Sequence, residues 1–171
     1  MKALLRRRSP VLVLAMLALL AWAQPQDVPW PVDTAQPDWD YGFWFDKNTA
    51  RWQTFAPAHP ELRALAVYVD RMGDPGTVVV ELQDPDGQAL ARVSGKPERG
   101  GWLYLPFEKA VRVTPGRLYR IYVYSDRISP NPRQRFFWRG IRSSRFCPVC
   151  TTDVASGWPQ FRYAFVVYAS R

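Results

Sequence analysis

The residues best suited to bind a ligand in this sequence are aromatic side chains at alternating positions of two strand-like segments. Tyr122 and Tyr124 alternate in one segment, and Trp102 and Tyr104 alternate in the other. Alternate residues of a β-strand lie on the same face, about 7 Å apart, so each pair presents two neighbouring rings. The C–H face of a sugar stacks on such rings, and the adjacent Arg120 can donate hydrogen bonds to its hydroxyl groups.

This pattern predicts a carbohydrate-binding surface. If the two segments pair with each other, all four rings share one face. The alternative is that the rings pack under a loop or against a second sheet, because tyrosine is common on half-buried strands for its β-propensity alone.

A second candidate is an arginine-rich stretch between Arg127 and Arg145. Basic side chains interleaved with rings bind single-stranded nucleic acids or acidic polysaccharides. Trp138 lies in this stretch and is also predicted to bind ligand. The alternative is local packing, because arginine lays its aliphatic part on rings and pairs with nearby carboxylates. The arginines are Arg127, Arg133, Arg135, Arg139, Arg142 and Arg145, and the rings are Phe136, Phe137, Trp138 and Phe146.

The two cysteines, Cys147 and Cys150, have the spacing of a C-P-x-C motif. Thioredoxin-type redox motifs share this spacing but need a helix after the first cysteine. The residues that follow include Gly157 and Pro159 and show no helical pattern. A zinc site needs four ligands, and His59 is the only histidine, so a carboxylate would have to complete the set. We therefore predict a disulfide bond that closes a small loop, with the zinc site as the alternative.

Enzyme motifs are absent from the sequence. There is no G-x-S-x-G, no H-E-x-x-H and no phosphate-binding loop, and one histidine provides little acid–base chemistry. We predict a non-catalytic protein without a cofactor. A catalytic carboxylate pair of the glycosidase kind is the alternative that stays open, because such a pair is brought together by the fold and has no fixed spacing in the sequence. Binding of a structural calcium ion is a further alternative, although the sequence has no D-x-D-x-D-G loop to hold the ion. The carboxylates considered for it are Asp38, Asp40, Asp46 and Asp153.

The first 23 residues have the organisation of an export signal. A basic segment, Met1 to Arg8, precedes an apolar run from Val11 to Leu20, and Ala21-Trp22-Ala23 fits an A-x-A cleavage site. The apolar run is shorter than the roughly 20 residues that span a bilayer. We predict cleavage near Ala23 and a secreted, periplasmic or extracellular protein with no transmembrane segment in the mature chain. An uncleaved anchor is the alternative.

The net charge of +8 includes four basic residues of this leader. The remaining chain is therefore only mildly basic, and nucleic acid is not the expected partner.

The elements that position these residues are short strands. Residues 24–37 contain four prolines without an apolar period and are predicted to be an extended lead-in. Residues 38–171 show period-2 alternation between turn signals, with no helical period. About nine short strands favour an all-β, antiparallel two-sheet β-sandwich of the jelly-roll type, with a barrel as the alternative. The clearest inward-facing sets are Leu103, Leu105 and Phe107, and Tyr119, Ile121 and Val123.

Six segments of the sequence are similar to recurring segments of a known kind of module. They are Gln53-Thr54-Phe55, Leu65 to Val69, the Asp70 to Gly76 turn, Gly101-Trp102, Val111 to Tyr119, and Tyr163 to Tyr168. Together they resemble bacterial extracellular jelly-roll modules of the galactose-binding-like kind, over roughly residues 50–170. The resemblance implies a non-catalytic module, and many such modules bind sugars or belong to surface assemblies.

The expected partner is therefore a carbohydrate or a cell-envelope polysaccharide. The alternatives are a structural or protein-interaction module of the cell envelope, and polyanion or nucleic-acid binding through the arginine-rich stretch. The sequence does not define the oligomeric state.

Overall fold

The computed structural model describes residues 28–142, 152–153 and 161–170. The predicted signal peptide and both cysteines lie outside the described residues. No helix that could cross a membrane occurs in the described part of the chain. The strands within it are β1 (Val32–Gln36), β2 (Tyr41–Phe45), β3 (Arg51–Phe55), β4 (Glu61–Met72), β5 (Val78–Gln83), β6 (Ala89–Gly95), β7 (Gly101–Arg112), β8 (Tyr119–Ser125), β9 (Arg135–Arg142), β10 (Phe161–Tyr163) and β11 (Phe165–Ala169).

These strands form two antiparallel sheets. Sheet A has the order β1-β11-β4-β9-β10, with β7 paired to β4 and β2 paired to β9. Sheet B has the order β3-β8-β5-β6. The all-β, antiparallel two-sheet sandwich predicted from the sequence is confirmed. Strands that are consecutive in the chain often lie in opposite sheets, as with β3 and β4 or β7 and β8.

The main core lies between the two sheets and is built from alternate residues of the strands. The inward set predicted for β8, namely Tyr119, Ile121 and Val123, is buried. In β7, Leu105 and Phe107 are buried. Leu103 is partly buried and packs against the same core. Burial of one face therefore fixes which side chains of these strands are left outside.

The described residues form two strands more than the roughly nine expected from the sequence. One is β1, within the segment 24–37 predicted as a lead-in, which pairs with β11. The other arises because the last predicted strand bends at Ala164. Its first part, β10, pairs with β9, whereas β11 pairs with β4.

Gly140 allows the approach of β10 to β9. A Cβ atom at this position would lie 2.7 Å from the Cα atom of Tyr163 and would also collide with the carbonyl oxygen of Arg162. Only glycine leaves room for the backbone at such a contact.

Candidate ligand-binding surfaces

The four rings predicted to share a face are divided between the two sheets. β7 pairs with β4 in sheet A, whereas β8 lies between β3 and β5 in sheet B. Trp102 and Tyr104 are therefore on the outer face of sheet A, and Tyr122 and Tyr124 are on the outer face of sheet B. The condition that the two segments pair is not met, and the two ring pairs point away from each other.

Trp102 and Tyr104 belong to a second apolar cluster on the outer face of sheet A. This cluster is centred on buried residues of β4 and β11 and is flanked by Val28 and Trp30 from the N-terminal segment. The ring of Tyr104 lies 5.7 Å from that of Tyr168 and 6.4 Å from that of Trp30. Burial raises the pKa of Tyr104. Trp102 and Tyr104 therefore pack under the N-terminal segment. Packing under a part of the chain was the alternative that the sequence left open for these rings.

Trp138 is a core residue rather than a binding residue. Its side chain is completely buried, opposite Val69 and Phe43 on neighbouring strands. The ring stacks on Tyr163 with centroids 4.2 Å apart, and the indole Nε1 donates to the carbonyl oxygen of Ala164. The predicted ligand-binding role of Trp138 is corrected, because alternation along β9 turns this ring towards the other sheet.

Tyr122 and Tyr124 are half-buried on the outer face of sheet B. Their ring centroids are 5.8 Å apart and their planes meet at 57°. The pairing of β3 with β8 places Trp52 opposite Tyr122, and the pairing of β5 with β8 places Glu81 opposite it on the other side. We call this outer face the sheet B platform. Its residues are Trp52, Glu81, Gln83, Arg92, Arg120, Tyr122 and Tyr124.

Polar contacts hold the rings of the sheet B platform in place. The Tyr124 hydroxyl donates to Glu81 Oε1 at 3.0 Å, and Gln83 Nε2 donates to Glu81 Oε2 at 2.9 Å. The Arg92 guanidinium lies 5.6 Å from the Tyr124 ring centroid. Burial is the main reason that the pKa of Tyr124 is raised, and the hydrogen bond to Glu81 adds to it. A carboxylate acceptor is thus fixed beside the two tyrosine rings.

Arg120 adds a donor to the same surface. Its guanidinium lies 4.8 Å from the ring centroid of Trp52, within the range of a cation–π contact. Its Nε atom is buried without a hydrogen-bond partner among the described residues. The sheet B platform therefore combines stacked rings with both an acceptor and a donor of hydrogen bonds.

The arginine-rich stretch contains arginines with local partners. Arg135 lies 4.1 Å from the ring centroid of Trp44. Arg139 Nε donates to Asp70 Oδ2 at 2.6 Å. Arg145 lies outside the described residues. The packing alternative thus accounts for the arginines on the outer face of sheet A.

Two of the four aspartates considered for calcium have structural contacts of their own. Asp46 accepts hydrogen bonds from the backbone N–H groups of Asn48, Thr49 and Ser129. Asp153 pairs with Arg51 at 2.7 Å. In the described ranges, no three His, Cys, Asp or Glu side chains are grouped so that they could hold a metal ion.

The sequence interpretation did not select the most exposed rings. Trp39 and Tyr41 are 45% and 48% exposed. Their alternation with Phe43 and Phe45 in the sequence is that of four rings on one face of a strand, but β2 begins only at Tyr41. Trp39 precedes the strand and stacks on Tyr68 at 4.5 Å, which period-2 alternation alone does not reveal.

No model of a known protein family matches this chain, and no curated protein sequence matches it either. The physical character of its surfaces therefore carries the functional inference.

Proposed function

We propose that this protein is a non-catalytic β-sandwich module that binds a neutral carbohydrate through the sheet B platform. The observation that supports the proposal is the pair of rings of Tyr122 and Tyr124, 5.8 Å apart on an outer face, with Trp52 in register beside them. The C–H faces of sugar residues stack on rings in this arrangement.

The polar groups of the sheet B platform suit the hydroxyl groups of a sugar. Glu81 supplies acceptor oxygens, and the guanidinium groups of Arg92 and Arg120 supply donors. Because Tyr124 and Gln83 already hold Glu81, little side-chain order has to be gained on binding. The surface is a sheet face rather than a pocket, so it fits an extended chain better than a free monosaccharide.

The proposal includes three features that come from the sequence. They are export after cleavage near Ala23, a disulfide between Cys147 and Cys150, and membership of the galactose-binding-like class of modules. The confirmed two-sheet sandwich is compatible with that class.

Binding to a panel of neutral and acidic polysaccharides, measured at low and at high salt, tests this function. We expect binding to a neutral polysaccharide that persists at high salt, because stacking and hydrogen bonds to neutral groups are weakly screened. Binding that occurs only at low salt would instead support a polyanion ligand.

A double variant, Tyr122→Ala with Tyr124→Ala, locates the site. We expect it to lose at least tenfold in affinity while keeping its fold by circular dichroism. Tyr41→Ala, which removes an exposed ring of sheet A, is the matched control and keeps wild-type affinity. Unchanged affinity of the double variant for every polysaccharide that binds would refute the proposal.

A protein-interaction module is the second candidate function. It is favoured by three exposed apolar side chains in sheet A or just before its strand β2: Trp39, Tyr41 and Met72.

A further inference from the structure

The free edges of β6 and β7 lie on the same side of the sandwich and enclose a groove of about 470 Å³. Among the described strands, β6 is the last of sheet B and pairs with β5, whereas β7 pairs with β4 alone. Two continuous runs line the groove, residues 90–93 of β6 and residues 107–112 of β7. Because each wall is a stretch of strand, the groove follows the strand direction. We call it the β6–β7 groove.

An irregularity in β7 opens this groove. Residues 62 and 64 of β4 pair with residues 111 and 106 of β7, so β7 advances by five residues where β4 advances by two. A bulge of this kind bends its strand and disrupts the local pairing. At the other end of β6 the two strands touch, since a Cβ atom at Gly95 would lie 2.9 Å from Leu105 Cδ2. The two edges are therefore in contact near Gly95 and separate towards the bulge.

β6 is the edge of sheet B that can accept a further strand. Its residues 91–95 pair with residues 78–82 of β5 without a register shift, and they include no proline. The opposite edge of sheet B, β3, is joined at Gln53 to Thr152 by a bridge. Across the groove, β7 offers an interrupted edge, because it contains the bulge and Pro106, which has no N–H to donate.

Apolar side chains form the floor of the β6–β7 groove. Phe107 is buried in the main core, and Ala91, Val93 and Val111 are partly buried against that core. Leu90, at the margin, is 42% exposed. In a strand added beside β6, alternate side chains point to the inside of the sandwich, which here is this floor. The groove therefore suits an extended segment with apolar side chains at alternate positions.

The margins of the β6–β7 groove are basic. The lining contains three cationic side chains, Arg92, Lys109 and Arg112, against one carboxylate, that of Glu108. Within the described ranges, Lys109 has no ion pair. The lining residues thus carry a net charge of 3 − 1 = +2, and a segment with carboxylates complements it.

Two carboxylates outside the groove leave its arginines available. Glu81 and Glu61 lie 3.9 Å from the Nε atoms of Arg92 and Arg112, and the two arginine side chains are 62% and 91% exposed. Glu81 also accepts the hydrogen bond of Tyr124. Long contacts between exposed charges contribute little free energy, so they do not prevent the guanidinium groups from pairing with a ligand.

We infer that the free edge of β6 binds an extended segment of an acidic partner protein as an additional strand of sheet B. Apolar side chains of the segment pack on the floor of the β6–β7 groove, and its carboxylates pair with the cationic side chains at the margins. Backbone hydrogen bonds to β6 provide affinity, and the alternate side chains provide specificity. Pairing of two β6 edges from two copies of this chain is opposed, because it brings their cationic margins together. The inference does not rest on carbohydrate binding.

Three hexapeptides with blocked ends test this inference by nuclear magnetic resonance. The first, Glu-Val-Glu-Val-Glu-Val, has the expected pattern, and the second, Lys-Val-Lys-Val-Lys-Val, reverses its charge. The third is the acidic peptide with every backbone amide N-methylated, which removes its hydrogen-bond donors. We expect the acidic peptide to shift the amide signals of residues 90–95 in ¹⁵N-labelled protein and to slow their hydrogen exchange. It should bind at least threefold more tightly than the basic peptide, and the N-methylated peptide should not bind.

Charge-reversal variants locate the contacts. Lys109→Glu with Arg112→Glu should lower the affinity for the acidic peptide at least fivefold. Arg117→Glu with Arg133→Glu, at two exposed positions outside the groove, makes the same change in net charge and should leave the affinity within twofold of wild type. Arg92 is kept in all variants, because it also belongs to the sheet B platform.

Three results with the wild-type protein would overturn the inference, whatever the stability of the variants. They are unshifted signals of residues 90–95, equal affinities for the acidic and basic peptides, and undiminished binding of the N-methylated peptide. Sedimentation velocity of the free protein adds a fourth: a dimer that protects residues 90–95 from exchange would assign this edge to a second copy instead. Polysaccharide binding measured on the same samples separates these outcomes from failure of the proposed function.

Discussion

The indole Nε1 of Trp138 donates a hydrogen bond to the carbonyl oxygen of Ala164 across 2.9 Å in the core of the sandwich. Ala164 is the residue at which the last part of the chain turns from β10, on β9, to β11, on β4. The backbone N–H of Tyr68 donates to the same oxygen at 3.2 Å. One carbonyl at the bend thus joins β9, β4 and the final strands.

We predict that Trp138 contributes more to stability than any exposed tryptophan. Trp138→Ala should lower the free energy of unfolding by about 3–5 kcal/mol, because it leaves a large cavity. Trp138→Phe should cost less, about 1–2 kcal/mol, because Tyr68 still donates to the Ala164 oxygen after the indole is lost. Urea denaturation measures both, and Trp39→Phe, at a 45% exposed site, should change stability by about 0.5 kcal/mol or less. An equal effect of the two phenylalanine variants would contradict the buried role of Trp138.

Gly140→Ala should be strongly destabilising. The added methyl group would overlap the backbone of β10 at Arg162 and Tyr163, and backbone atoms cannot rotate away as a side chain can. We expect a loss of several kcal/mol or failure to fold. Gly116→Ala is the contrasting variant, because φ there is 76° but no atom lies within 4 Å of the new Cβ. It should cost only about 1 kcal/mol, and comparable losses at the two sites would exclude close approach as the cause.

The sequence was sufficient to predict the sandwich because burial of one face imposes alternation on each strand. Tyr119, Ile121 and Val123 alternate in the sequence and are buried in the structure. Alternation does not state which strands are neighbours, however. Trp102 and Tyr122 look equivalent in the sequence, yet one is packed under the N-terminal segment and the other lies on the opposite outer face.

Two further features could not be predicted from the sequence, for other physical reasons. β1 has no apolar period, because what holds it in place is backbone pairing with β11 rather than one buried face. The ion pair of Asp70 and Arg139 joins residues that are distant in the chain, which only the pairing of β4 with β9 brings together. The outward position of Tyr122 and Tyr124 was predictable, whereas their partners Trp52 and Glu81 depended on strand order.

Glu81 should be important for binding and of little importance for stability. Its carboxylate accepts hydrogen bonds from Tyr124 and Gln83 on an outer face. Glu81→Gln keeps the shape but replaces one acceptor oxygen by a donor, so we expect polysaccharide affinity to fall about tenfold, equivalent to roughly 1.4 kcal/mol. The free energy of unfolding should change by less than about 1 kcal/mol, since these are partly exposed hydrogen bonds. Isothermal titration calorimetry and urea denaturation of the same preparation distinguish this from a variant that binds poorly because it unfolds.

The fold should lose stability at alkaline pH through Tyr163. Burial is the main reason that the pKa of Tyr163 is raised above its ordinary value of 10.0, and the nearby Asp153 carboxylate adds to it. Below pH 10 the phenol is neutral in both states, so its contribution is fully present. As the pH rises above 10, the unfolded chain releases the proton while the folded protein retains it, and stability is lost by up to about 1.4 kcal/mol per pH unit for one group.

Urea denaturation between pH 7 and pH 11 measures this dependence. Tyr163→Phe should show a shallower decline above pH 10 than the wild type, and the two should have parallel stabilities between pH 7 and pH 9. The slope should not vanish, because burial also raises the pKa of Tyr104, Tyr124 and Tyr168. A decline above pH 10 that is as steep in Tyr163→Phe as in the wild type would assign the alkaline sensitivity to other groups.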